Sequence, residues 1–186
     1  MQPQSFIKLI EQAMDNVQII KVPLSGLEEL LAISRETFLE SFKDDNTEEN
    51  MNAYLNAHLN KERLIQELTN PDSEFYFAML DSKVIGYLKI NFAGAQTELK
   101  DSSAIEIERI YVLKEYQRMK IGQVLYGKAV EIARQSGANY IWLGVWEKNS
   151  KAISFYRKNG FAEFDKHIFM LGDDAQTDLM MKLVLT

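Results

Sequence analysis

Two stretches of the chain concentrate residues able to do chemistry. One runs Glu108-Arg-Ile-Tyr-Val-Leu-Lys-Glu-Tyr-Gln-Arg-Met-Lys-Ile-Gly122, the other Trp146-Glu-Lys-Asn-Ser-Lys-Ala-Ile-Ser-Phe-Tyr-Arg-Lys-Asn-Gly-Phe161. The first reads as a strand, a short loop carrying Gln117, Arg118 and Lys120, and a helix opening at Gly122. Backbone N–H groups at such a start lack intrahelical acceptors. Those of Arg118, Met119, Lys120, Ile121, Gly122 and Gln123 therefore suit a pyrophosphate. The second reads as a helix with Asn149 at its start and Tyr156 near its end. Tyr156 offers a phenolic proton and Lys158 a cation, while Glu106, Glu108 and Glu147 offer carboxylates that could accept a proton directly or through water. The same residues also suit duller duties. Phe155 and Tyr156 fit the core face of an amphipathic helix, and each glutamate fits a solvated rim or a partner for Arg109.

These groups must be held by a scaffold whose bulk properties narrow the chemistry. At 186 residues and 46% apolar content the chain is one domain with enough material for a core. It contains no cysteine, which excludes disulfides, thiolate metal sites and a cysteine nucleophile. Its two histidines, His58 and His167, stand far apart in sequence without metal-ligand spacing, so no metal is expected. A net charge of −6 argues against nucleic acid and for a cationic partner. No apolar run is long enough to span a membrane, and the N-terminus lacks the layout of a secretory signal. The chain is accordingly read as cytoplasmic, with no membrane partner and with a homodimer left open.

Periodicity gives one continuous α/β domain over residues 17–186, preceded by a helical extension over 1–16. Val17–Val22 reads as a strand and Leu27–Phe42 as a helix, with apolar residues at Leu27, Leu30, Leu31 and Phe38. A single long helix is expected from Thr47 to about Thr69, ended by Asn70-Pro71. Phe75–Leu80 and Val84–Phe92 read as a hairpin, and Ala104–Leu113 as a further strand. Gly122–Ser136 is a helix stopped by Gly137, Tyr140–Trp146 a buried strand, and Asn149–Asn159 a helix stopped by Gly160. Strands over about Phe161–Met170 and Asp178–Leu185 close the sheet.

The 104–113 strand changes phase. Ile105 and Ile107 are apolar and Glu106 and Glu108 charged, but beyond Arg109 the apolar positions become Ile110 and Val112. A β-bulge near 108–110 would insert the one residue that re-phases the faces, and bulges often lie beside active sites.

The order and spacing of these features resemble the GNAT family of N-acetyltransferases. The family pattern Gln/Arg-x-x-Gly-x-Gly/Ala matches at Gln117 and Gly122, with Lys120 in place of the first glycine. If that position requires positive φ, lysine bears strain that glycine would avoid, while its ammonium could lie near a phosphate. The resemblance implies a single mixed, mostly antiparallel twisted sheet with helices on both faces and a bulged, splayed central strand. It also implies acetyl-CoA as co-substrate without a metal. Backbone groups of Ile110, Tyr111 and Val112 would meet pantetheine with Asn149, Gln117–Gln123 and Lys158 would meet the phosphates, and Tyr156 would protonate the departing thiolate. A base would be drawn from Glu106, Glu108 or Glu147. Across roughly residues 20–185, segments such as Arg35–Phe42, Asn46–Tyr54 and Gly172–Leu179 resemble the polyamine-acetylating members. Spermidine or spermine is thus the implied acceptor, and the acidic residues at 36, 40, 44, 45, 48 and 49 would suit a polycation. A protein N-terminus, a lysine or an aminoglycoside remains as alternative acceptor, and a CoA-binding regulator as the non-catalytic alternative.

Overall fold

The computed structural model describes residues 16–185; the helical expectation for the N-terminal extension falls on residues outside that range, apart from its last one. The elements run β1 (Gln18–Lys21), α1 (Leu27–Phe42), α2 (Glu48–His58), α3 (Lys61–Thr69), β2 (Ser73–Leu80), β3 (Lys83–Phe92), β4 (Ala104–Val112), α4 (Ile121–Gln135), β5 (Tyr140–Trp146), α5 (Ser150–Lys158), β6 (Ala162–Leu171) and β7 (Asp174–Val184). The seven strands form one sheet in the order β1-β2-β3-β4-β5-β7-β6. All neighbours are antiparallel except β4 and β5, the pair joined through α4 as a parallel pair requires.

Both faces of the sheet are covered, which is why its central strands are apolar on both sides. On one face Ile121, Leu125, Ala129 and Ala133 of α4 and Ile153 of α5 pack on Ile85, Leu88, Ile105 and Ile141. On the other, Leu27, Leu30 and Ile33 of α1 and Leu64 of α3 pack on Phe75, Phe77 and Tyr87. A smaller cluster of Phe38, Met51, Leu55, Leu59 and Leu171 docks α1 and α2 on the end of the β6–β7 hairpin. No helix among the described residues is long and apolar enough to cross a membrane.

Two expected elements are corrected. The helix expected over 47–69 is two helices, broken at Leu59-Asn60. Leu59 leaves helical geometry at φ −116°, ψ 57°, and the Asn60 side chain accepts from Arg63 N at 2.8 Å, starting a new helix. Arg35 Nη1 donates to the carbonyls of Leu55 and Leu59 at 3.2 and 2.9 Å, satisfying the end of α2 from outside. The last strand also begins earlier than the expected Asp178, the hairpin turning at Gly172-Asp173 so that Leu171 faces Asp174.

Candidate active site

The site originates where β4 parts from its neighbours. On the β3 side Lys89 faces Arg109 and Ile90 faces Ile107, so Glu108 is the extra residue of a bulge, within the expected 108–110 interval. On the β5 side pairing covers only Ala104, Ile105 and Glu106. Beyond Glu106 the strands splay, and a cavity of about 490 Å³ opens, lined by Glu106–Tyr111 of β4, Gly144–Trp146 of β5, Asn149, and Ala152 and Tyr156 of α5. Its far wall carries Phe38 and Phe42 of α1, Tyr54 and His58 of α2, Phe169 of β6 and Asp178 of β7.

The loop after β4 lies outside this cavity, at the start of α4. Lys120 takes φ 57°, ψ 13°, so the position that glycine holds in the family pattern does require left-handed backbone, and Arg118 takes φ 73°. The N–H groups of Arg118, Lys120, Ile121 and Gly122 have no acceptor among the described residues. A Cβ on Gly122 would meet nothing within 4 Å, so this amide-rich surface is open to a large anion. Gln117 Nε2 ties the loop to Val112 O at 3.3 Å, and Gln123 Nε2 ties α4 to Asn159 Oδ1 at 2.9 Å, fixing the helix that carries Tyr156. Met119 packs on the core instead of facing the loop's open side. Lys158 is exposed and does not line the cavity.

Asn149 caps α5 by accepting from Ala152 N at 3.1 Å. Tyr156 is 7% exposed, packed against Phe155 and Phe161 with ring centroids 5.4 and 5.5 Å away. Burial raises its pKa well above the ordinary phenol value, so the hydroxyl is held protonated and available as a donor.

The expected bases fare differently. Glu108 meets Lys89 Nζ at 2.6 Å, Arg109 Nη2 at 2.9 Å and Asn91 Nδ2 at 2.5 Å. Burial alone would raise its carboxyl, but Arg109 and Lys89 outweigh it and hold the pKa at about 2. A carboxylate so stabilised is a poor proton acceptor, which corrects the expectation for Glu108. Glu106 is raised, by burial and by the charge of Glu108. Yet both its oxygens are taken, by Thr97 N at 2.8 Å, Thr97 Oγ1 at 2.5 Å and Asn91 Nδ2 at 3.0 Å. Glu147 is exposed and off the cavity.

Sequence reasoning missed what surrounds these groups. Glu67 of α3 is 6% exposed and binds Arg109 Nη1 at 2.8 Å, Lys89 Nζ at 3.0 Å and Arg63 Nε at 3.0 Å. His58 and His167, far apart in sequence, line the same cavity. The His58 ring lies tilted against Tyr54 with centroids 4.6 Å apart, and His167 Nε2 lies 3.7 Å from Asp178 Oδ2. The acidic residues at 36, 40, 44, 45, 48 and 49 do not line the cavity; Glu98 and Asp178 do.

Residues 27–161 match the acetyltransferase (GNAT) family. The chain belongs to that family. This GNAT protein is 42% identical over 172 residues to an N-acetyltransferase of Lactobacillus delbrueckii subsp. lactis, covering 92% of this chain and 99% of the relative. It is 30% identical over 150 residues to a spermidine N(1)-acetyltransferase of Thermoplasma acidophilum, covering 78% and 88%. Its fold superposes with TM-score 0.76 and 28% identity on a PaiA N-acetyltransferase of Thermoplasma acidophilum solved with coenzyme A, covering 91% and 99%. The chain is therefore an N-acetyltransferase using acetyl-CoA, and the splayed β4 edge and the unpaired amides of Arg118, Lys120, Ile121 and Gly122 fit that co-substrate. Among the described residues no group of three or more His, Cys, Asp or Glu could hold a metal.

Proposed function

We propose that the acceptor is a polyamine of the spermidine or spermine class, acetylated at a primary amine by direct attack in a ternary complex. One observation carries the acceptor class. The cationic side chains on the cavity wall, Arg63 and Arg109, are both paired with Glu67. Glu98 and Asp178 have no lysine or arginine partner among the described residues, and Phe38, Phe42, Tyr54, Trp146 and Phe169 present aromatic faces. Carboxylates without a lysine or arginine partner, among aromatic rings, favour a flexible alkylammonium, through charge and cation–π attraction. The spermidine-acetylating relative supports the same class.

Acetyl-CoA supplies a thioester carbonyl for the amine to attack. The β4 edge free beyond Glu106 offers backbone groups of Ile110, Tyr111 and Val112 to an extended amide arm, as an added strand would use them. The free amides of Arg118, Lys120, Ile121 and Gly122, with the Lys120 ammonium, bind the pyrophosphate, while those of Met119 and Gln123 are taken within the chain; Asn149 caps α5, the helix that carries Tyr156. Tyr156 hands its proton to the departing sulfur; a thiolate of ordinary pKa ~8.5 in a dry site is a suitable acceptor.

The test is steady-state release of CoA thiol, comparing spermidine and spermine with a lysine peptide, a protein N-terminal peptide and an aminoglycoside. The chain has no cysteine, so a thiol reagent reads product alone. Saturable turnover with kcat/KM at least ~100-fold above the other amines is expected for the polyamines. Equal or better turnover of another amine overturns the acceptor class, and binding of CoA without turnover of any amine favours a regulator.

A further inference from the structure

We propose that Asp178, backed by His167, takes the proton from the acceptor ammonium, and that His167 passes it to Glu98 at the cavity rim. This requires only an amine acceptor, so it rests on the N-acetyltransferase activity and stands apart from the polyamine assignment.

An alkylamine reaches the site as an ammonium, since its pKa of ~10.4 lies far above neutral pH. Attack on the thioester carbonyl needs the nitrogen lone pair, so one N–H proton must leave first. A second leaves as the C–N bond forms and the C–S bond breaks; the sulfur takes its proton from Tyr156, and that second amine proton restores the phenol. The net reaction turns ammonium and thioester into amide, thiol and one released proton. That proton needs an acceptor with a free lone pair and a path to water.

Glu106 and Glu108 are poorer acceptors, because each carboxylate already takes three donors, Glu106 from Thr97 and Asn91 and Glu108 from Lys89, Arg109 and Asn91. Asp178 lines the cavity, and its Oδ1 is buried without a hydrogen-bond partner. His167 lies directly across the β6–β7 pair, and its Nδ1 is likewise buried and unpartnered. An ammonium has three donors to offer such atoms. From Asp178 Oδ2 the line continues 3.7 Å to His167 Nε2, and from His167 Nδ1 4.0 Å to Glu98 Oε1. The Glu98 side chain is 47% exposed, so the line ends in solvent. Gly144 keeps the pair open to the cavity: a Cβ there would stand 3.2 Å from His167 Cε1 and 3.5 Å from Asp178 Oδ2.

Burial raises the Asp178 carboxyl to about 6, against the opposing charge of His167. The other ionisable groups on the same cavity are Glu98, Tyr54 and His58, Arg63 of α3, and Glu106, Glu108, Arg109 and Tyr111 of β4, with Tyr87 behind them and Tyr156 on α5.

The experiment is the pH profile of kcat/KM from pH 5 to 9, with whichever amine the wild type turns over, for wild type, Asp178→Asn and His167→Gln. CoA affinity serves as the fold control. Wild type should rise to a plateau above pH about 6. Asp178→Asn should fall ~100-fold or more at pH 7 and climb about tenfold per pH unit, because it must wait for free amine of pKa ~10.4. His167→Gln should keep the limb but move it to higher pH, since His167 opposes the rise that burial imposes on Asp178. A limb unmoved in both variants, or rate and CoA affinity lost together in both, overturns the inference while leaving the acetyltransferase intact. Absence of turnover with every amine would instead sink the catalytic reading and this inference with it.

Discussion

Two residues carry consequences that can be read one side chain at a time. Tyr156 is buried in the cavity wall, its proton held by a raised pKa. Tyr156→Phe keeps the ring packing against Phe155 and Phe161 and removes only the donor. Thiol-release kinetics should show kcat lowered ~10²–10⁴-fold with CoA affinity unchanged; retained kcat would remove Tyr156 from the mechanism. Lys120 sits at φ 57°, where a Cβ is strained by ~1–2 kcal/mol. Lys120→Gly should raise thermal stability by up to about that amount, and Lys120→Ala, which keeps the strained Cβ, should not. Both should raise the KM for acetyl-CoA by losing the ammonium. A Lys120→Gly protein of unchanged melting temperature would show that the strain is relieved elsewhere.

At the scale of elements, β4 decides the site. Its bulge at Glu108 and early parting from β5 open one cavity along Glu106–Tyr111, and its charges are held by α3. Glu67 is the anion on which Lys89 and Arg109 converge from two strands. Glu67→Gln leaves two cations in the interior with only Glu108 to balance them and should cost ~3–5 kcal/mol, measured by chemical denaturation against wild type; a loss under ~1 kcal/mol would mean that water enters the cluster. The phase change from Ile107 to Ile110 made the bulge readable in the sequence, because period-2 alternation cannot shift without an inserted residue. The Glu67 cluster was not readable, because Glu67 looks like any polar residue on a helix until the fold brings Lys89 and Arg109 beneath it. Nor was the break at Asn60, which depends on Arg35 reaching across from α1 to the carbonyls of Leu55 and Leu59. The His167–Asp178 pair did leave a signal. A two-residue turn at Gly172-Asp173 sets the register that puts 167 opposite 178, but placing the start of β7 at Asp178 concealed it.

Across the whole molecule two carboxylates pull stability in opposite directions with pH. Glu108 is depressed from an ordinary 4.5 to about 2, so it binds fewer protons folded than unfolded. Its contribution is complete above 4.5 and is lost as pH falls toward 2. Asp178 is raised from an ordinary 3.8 to about 6, so the folded chain holds its proton longer than the unfolded chain. Its sign is reversed: no penalty below 3.8, and a growing one as pH rises through about 6. A carboxylate kept buried with one oxygen lacking a hydrogen-bond partner at working pH is a stability cost of the kind that functional sites carry. Asp178→Asn should therefore melt at higher temperature than wild type at pH 7.5, with the gap closing as pH falls and absent below pH 3.8. Glu108→Gln should show the opposite pattern, less stable than wild type at neutral pH and converging with it toward pH 2. Melting curves of the three proteins at pH 3, 5 and 7.5 test both signs together. An Asp178→Asn protein no more stable than wild type at pH 7.5 would mean that the carboxylate already has a partner in the folded chain.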